Sequence, residues 1–313
     1  MKNHALWYRK FGIPAHTLQL ETHELPGLAD GVIRIRMHAA PINPSDLIPI
    51  TGAYRHRITV PCIAGYEGLG AVIDSSHPAN IAIGQRVLPL RGPGTWQSYI
   101  DVNPDWIILV PDYVSDAAAI QGYINPLTAL CMLRKWPVRG KHVLLTAAGS
   151  SCANLLAQWA FAEGACSVTG VYRSAKHIPN LLRIGVAPIH YEAFGQIAYA
   201  ASRSDIVFDA VGGTLASDML TGMKPDANFI SYGLLSGQAI TISQPGPAPE
   251  RFHLRDQITA AAPSEWQQWF RDIWPRLMTS SLPDITPYRL TAWRDALSLF
   301  YTSGRSSKPV LKM

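Results

Sequence analysis

The rhythm of apolar and polar positions changes near residue 116. Before it, short alternating runs stand between turns rich in Pro and Gly. Val32-Ile33-Arg34-Ile35-Arg36-Met37 alternates as a half-buried strand does. Gly84-Gln85-Arg86-Val87-Leu88 and Trp96-Gln97-Ser98-Tyr99-Ile100 predict further short strands. The first stretch therefore reads as a β-rich domain to about Ser115. Residues 116–136 are rich in Ala and Leu and stop before Pro137, which predicts helix with a break near Asn125-Pro126. Strands and helices then alternate. Strands are expected over 142–146, 167–172, 205–211 and 228–233, and helices over 152–163, 175–184 and 214–223. Alternation at this spacing predicts an α/β fold with a parallel, doubly wound sheet. The tail predicts a helix over 291–301 and a closing strand over 309–312. A closing strand that rejoins the first domain makes the sheet domain an insertion. The expected domains are 1–115 with 265–313, and 116–264.

Composition narrows the class. A chain of 313 residues exceeds what one core usually fills, in line with two domains. Hydrophobic residues at 48% exclude disorder. No apolar stretch has membrane-spanning length, and no apolar run follows basic residues near Met1, so no signal peptide is expected. Cysteines 62, 131, 152 and 166 stand far apart without a CxxC pair, which suits reduced thiols in a cytoplasmic protein. Net charge is +5, but the basic residues are scattered and Arg55-His56-Arg57 is the densest run. That pattern argues against nucleic-acid binding and for an enzyme with anionic ligands.

The segment A-P-I-N-P-S-D-L-I-P-I-T-G-A-Y (40–54) is followed by P-C-I-A-G-Y-E-G-L-G (61–70). G-T-W stands at 94–96, N-P-L-T-A at 125–129, D-A-V-G-G at 209–213 and S-Y-G at 231–233. In this order and spacing the set resembles the medium-chain dehydrogenase/reductase superfamily over nearly the whole chain. The resemblance implies a GroES-like β-rich catalytic domain and a Rossmann nucleotide-binding domain. Zinc alcohol dehydrogenases of that superfamily hold their metal with a Cys two residues before the Ser/Thr-Asp step and a His in a Gly-His-Glu step. Those positions are Asn43 and Tyr66 here, and neither is a normal tetrahedral zinc ligand. A second zinc loop of four clustered cysteines is missing too, so no metal is expected. The nearest likeness is to zinc-free quinone oxidoreductases and mitochondrial-type 2-enoyl thioester reductases.

By that resemblance Asn43, Tyr54, Trp96, Asn125 and Thr128 surround the nicotinamide, with Thr128 on its amide and Tyr54 on a thioester carbonyl. Chemistry supports Tyr54. Hydride addition to an activated alkene drives charge onto the carbonyl oxygen, where a phenol can donate a hydrogen bond. Asn43 is a candidate to orient Tyr54 or the ribose. Trp96 is read either as a substrate contact or as core. Arg55 and Arg57 are read either as contacts for coenzyme A phosphates or a substrate carboxylate, or as a solvated loop. Glu67 is a buttress with no assigned role.

The strand-to-helix turn T-A-A-G-S-S-C-A-N (146–154) offers Gly149, Ser150, Ser151, Cys152 and Ala153 to a pyrophosphate. Relatives usually carry Gly where Ser151 and Ala153 stand. After the next strand come Arg173, Ser174 and Lys176, with no carboxylate for a ribose 2′-OH. A guanidinium suits a 2′-phosphate, so NADPH is the expected cofactor. Gly212, Tyr232 and Gly233 complete the nucleotide set by resemblance. The expected activity is reduction of an enoyl thioester, an enone or a quinone. A carbonyl or alcohol dehydrogenase and a non-catalytic redox sensor remain as alternatives. The segment Q-P-G-P-A-P-E-R-F-H-L-R-D-Q-I-T (244–259) departs from the aromatic pattern of the enoyl reductases, which leaves the substrate open. A homodimer is expected through the edge of the nucleotide sheet, near 228–235.

Overall fold

The computed structural model describes residues 1–77, 81–242 and 246–313. Two compact units divide the chain. The first is Met1–Ile124, Ala262–Met278 and Pro283–Met313; the second is Asn125–Ala261 and Thr279–Leu282. The division falls at Ile124, past the change of rhythm near residue 116. Tyr123 packs edge-on against Trp266 at 5.7 Å and at a shallow tilt against Phe270 at 6.2 Å, which keeps this stretch with the first unit.

The first unit is built on a seven-stranded sheet. Along it lie Asp284–Arg289, Ser307–Lys312, Ile33–Pro41, Leu69–Ser75, Arg86–Pro89 and Ile107–Leu109, and Tyr99–Val102 also pairs with Ile33–Pro41. The alternation seen in sequence places Ile33, Ile35, Met37 and Ala39 in the core with Val72, Val87 and Ile100. Arg34 is buried as well, because it forms a two-pronged bond to Asp101 at 2.7 and 2.8 Å. The tail strand Ser307–Lys312 runs antiparallel to Ile33–Pro41, with Val310 opposite Pro41. The chain thus leaves the first unit, builds the second and returns. A smaller sheet joins Lys2–Tyr8 to Leu18–Glu24 and Cys62–Ile63.

The second unit holds a six-stranded, all-parallel sheet. In chain order its strands are His142–Leu145, Ser167–Tyr172, Ala187–His190, Ile206–Asp209, Asn228–Ser231 and Pro249–Arg251. Across the sheet they run third, second, first, fourth, fifth, sixth. This is the dinucleotide-binding order, and its direction reverses between the first and fourth strands. Leu144, Val171, Val207 and Phe229 form one apolar face under Ile197, Met219 and Leu220.

Several local expectations shift. The helix break lies at 120–123, and Pro126 sits in the first turn of the helix Ile124–Lys135, where a missing N–H costs nothing. The helix expected over 175–184 begins as a 3₁₀ turn, Ala175–His177, before Ile178–Arg183. The strand Asn228–Ser231 is not the sheet edge, because Pro249–Arg251 pairs beside it. Gln244 and Pro245 of the atypical segment lie outside the described residues. Among those residues, no helix is long and apolar enough to cross a membrane.

Candidate active site

In the first unit the signature segments meet in a buried polar network. Asp46, on the short helix Pro44–Leu47, accepts the Asn43 N–H at 2.7 Å and the Tyr66 N–H at 2.8 Å. One carboxylate therefore ties both segments together. Asn43 donates through Nδ2 to Glu67 Oε2 at 2.8 Å, and its Oδ1 accepts from Lys308 Nζ at 3.0 Å. Glu67 Oε1 accepts the N–H groups of Tyr123 and Ile124 at 2.7 and 3.1 Å. Asn43, Asp46, Glu67 and Lys308 are all buried. Burial raises both carboxyls above their ordinary values, Asp46 to about 7, with the charge of Glu67 adding to it. Backbone N–H donors and the Lys308 ammonium oppose the rise.

Zinc does not fit this donor set. Each end of the Asn43 amide is engaged, one end by an ammonium that already supplies the local positive charge. Tyr66 offers a half-buried phenol rather than an imidazole. Among the described residues, no three His, Cys, Asp or Glu side chains are grouped to hold a metal ion.

Tyr54 stands on a turn that leaves Gly52 at φ 85°. Its ring is half-buried, and the Arg57 guanidinium lies over it, 4.3 Å from the centroid. Trp96 is more deeply buried than Tyr54. It is buried in the core with Leu6, Ile42 and Trp293, and its Nε1–H points to the Pro41 carbonyl at 3.3 Å. Gly65, at φ 94°, lets the chain press on this ring; a Cβ there would stand 2.3 Å from it.

In the second unit, the carboxyl ends of the first and fourth strands are joined. Thr146 Oγ1 donates to Asp209 Oδ1 at 2.7 Å and accepts the Ala210 N–H at 2.8 Å. The other oxygen of Asp209 accepts the Gly212 N–H at 2.8 Å. This is the reversal point, where such sheets take ligands. Ser150 caps the helix Ser151–Ala162, its Oγ accepting the Ala153 N–H at 3.3 Å. The Ser151 N–H has no partner among the described residues. The Tyr232 hydroxyl is buried without a hydrogen bond of ordinary geometry, and Ser150 is a polar side chain beside it. Burial raises this phenol far above its usual value. An open N–H at a helix N-terminus and an orphaned hydroxyl suit an anionic ligand.

Residues 29–112 match the alcohol dehydrogenase GroES-like domain. The rat mitochondrial enoyl-[acyl-carrier-protein] reductase is 30% identical over 254 residues, covering 76% of this chain and 68% of the relative. A crystal structure from Bacillus thuringiensis, named for NADPH:quinone reductase, is 32% identical with a TM-score of 0.91, covering 100% and 99% of the two chains. The chain belongs to the medium-chain dehydrogenase/reductase superfamily. A further structure, a complex with NADP and crotonyl-CoA, shares the fold at a TM-score of 0.84 and 17% identity, covering both chains fully.

For this superfamily member, the expected site residues are spread over several places. Tyr54, Arg55 and Arg57 share one turn, while Asn43 belongs to the buried network. Gly149, Ser150, Ser151 and Tyr232 gather at the helix N-terminus. Arg173 and Lys176 are exposed and Ser174 half-buried on the adjoining loop, and His177 of that loop covers Gly149, where a Cβ would stand 2.4 Å from the imidazole. Cys152 and Ala153 are buried. Gly212 and Gly233 are close-packing positions: added Cβ atoms would meet Leu234 at 2.6 Å and the Ala210 carbonyl at 2.7 Å. Asn125 and Thr128 sit on the first turns of Ile124–Lys135, Thr128 buried and Asn125 half-buried. Lys308 went unnoticed in the sequence, as did the bonds of Asp46, Asp209 and Thr146. The D-A-V-G-G motif is a usable signal for Asp209; nothing local marks Lys308.

Proposed function

We propose that the chain is a zinc-free, NADPH-dependent reductase of an activated carbon–carbon double bond, with 2-enoyl thioesters as the leading substrates and enones or quinones as others. The observation that carries the cofactor is the loop after the second parallel strand. It presents Arg173 and Lys176 to solvent and no carboxylate. NADPH is held by the Ser150–Ser151 turn and Tyr232 around its pyrophosphate, by Arg173, Ser174 and Lys176 at its 2′-phosphate, and by Asn125 and Thr128 at its nicotinamide end. When bound it supplies the hydride. The names of the relatives support the substrate class, one for an acyl-carrier thioester and one for a quinone. The crotonyl-CoA complex adds a coenzyme A thioester.

Tyr54 donates its phenol hydrogen to the carbonyl oxygen as charge gathers there, in place of a metal ion. Asn43 serves at one remove: it links Lys308 to Glu67 inside the first unit. The four cysteines are free, which suits a reducing compartment such as the cytoplasm. A second copy of the chain is the expected protein partner.

The test is cofactor oxidation with a panel of enoyl thioesters, enones and quinones, using NADPH and NADH, on the parent protein and Tyr54→Phe. NADPH-dependent turnover of a thioester is expected. Tyr54→Phe should lower kcat by about 10²–10³, the usual effect of deleting one oxyanion donor, with little change in KM. No turnover of any acceptor rejects the enzyme reading. Turnover unchanged within a factor of about two in Tyr54→Phe removes Tyr54 from the chemistry.

A further inference from the structure

The three basic side chains after Tyr54 do not stand alike. Arg55 turns its Nε–H back to the Gly52 carbonyl at 3.3 Å. His56 is exposed. Arg57 holds residue 54 twice. Its backbone N–H bonds the Tyr54 carbonyl at 3.0 Å, and its guanidinium lies 4.3 Å from the centre of the Tyr54 ring. The Ile58 N–H bonds the same carbonyl at 3.1 Å, so the turn closes firmly on this tyrosine.

A cation over a phenol ring is attracted by the negative face of the π-system. The contact fixes the plane of a half-exposed ring and so the direction of its hydroxyl. The contact is in place before reaction, which is what a preorganised hydrogen-bond donor requires. We infer that Arg57 is a positioning residue for Tyr54 rather than a binding group for the phosphates of a thioester arm. This rests on Tyr54 acting on the substrate carbonyl, as proposed above.

Two substrates with the same reacting group separate the roles. Crotonyl-CoA carries the phosphates, and crotonyl-N-acetylcysteamine does not. Arg57→Gln should lower kcat by about three- to tenfold on both, with KM unchanged within about twofold. Arg57→Lys keeps the cation and should restore most of the rate. In the Tyr54→Phe background, Arg57→Gln should have no further effect, because the group it positions is gone. A rise in KM confined to crotonyl-CoA makes Arg57 a phosphate contact and overturns the inference. An equal loss with and without the Tyr54 hydroxyl does the same.

A second measurement needs no turnover. In protein labelled with ¹³C at the tyrosine rings, the Tyr54 resonance is identified by its disappearance in Tyr54→Phe. Arg57→Gln should move it, and His56→Gln should not. An unmoved Tyr54 resonance in Arg57→Gln sinks the inference whatever the kinetics show. If neither thioester is turned over, the proposed function fails while the spectra still decide the contact.

Discussion

The Lys308–Asn43–Glu67 chain shows what a single buried charge does to its neighbours. Glu67 accepts three hydrogen bonds, which support its anion against the rise that burial imposes on this carboxyl. The Lys308 ammonium, reached through one amide, is its counter-charge. Lys308→Met keeps the length and apolar stem but strands that anion. The expected loss is about 3–5 kcal/mol, the usual effect of removing one partner of a buried pair, read as a lower urea midpoint at unchanged slope. A loss below about 1 kcal/mol would assign Lys308 to packing alone. Asp46 yields a prediction in pH. Its carboxyl ordinarily titrates near 3.8 and is pushed up to about 7 by burial. Between those values the folded state keeps a proton that the unfolded chain has released. The associated stability is full below about pH 4 and is lost as pH rises through 7. Glu67, also raised, works in the same direction. Unfolding midpoints followed from pH 4 to 8 should show this fall, and Asp46→Asn should flatten it even if the variant is less stable throughout. A slope identical in parent and variant would show that other groups cause it.

At the scale of elements, the parallel strands were legible because each is a continuous apolar run closed by a turn, as in Val143-Leu144-Leu145 and Ile206-Val207-Phe208. Elements interrupted by proline were not. The helix Pro263–Met278 carries Pro275 inside it, yet it holds because Trp266, Trp269, Phe270, Ile273, Trp274 and Leu277 line one buried face. The strand Asp284–Arg289 contains Pro287 but lies at the sheet edge, where one missing N–H is tolerated. The site was legible only as far as its residues are neighbours in sequence. Asn43 and Asp46 share a motif, whereas Lys308 reaches Asn43 across 265 positions through strand pairing. Trp96 in its G-T-W turn reads in sequence equally as a substrate contact or as core. Its burial depends on Gly65 and on Gly94, whose added Cβ would stand 2.1 Å from the Ile63 carbonyl, and no local pattern announces that approach. The loop Arg173–His177 carries the prediction for this scale. Arg173→Ala should weaken NADPH binding by about 10- to 150-fold, the equivalent of 1.5–3 kcal/mol for a charge-assisted bond, and leave NADH within about twofold. Titration of each nucleotide into the parent and the variant decides it; equal losses for both nucleotides would place Arg173 away from the 2′-phosphate.

At the scale of the whole molecule the open question is how many copies assemble. The parallel sheet ends at Pro249–Arg251, a three-residue strand with one neighbour. Glu250 on it accepts from Trp136 Nε1 at 2.9 Å and lies 3.8 Å from Lys135 Nζ. A short, charged edge resists open-ended strand pairing. It does not prevent a closed two-fold contact, in which each copy presents the same surface and no edge is left over. The segment following the fifth strand gives such a contact its apolar content. Leu234, Leu235 and Ile242 are each more than half exposed, at 54, 59 and 57%. Three large aliphatic side chains in one short stretch are costly to leave in water and are what a second copy would cover. The expected state at micromolar concentration is a homodimer. Leu234→Asp with Leu235→Asp should yield a monomer by light scattering. Its circular dichroism should stay that of the parent, because neither side chain belongs to the buried core. A monomeric parent protein would remove the proposal. A parent dimer that survives the double substitution would move the interface to another face.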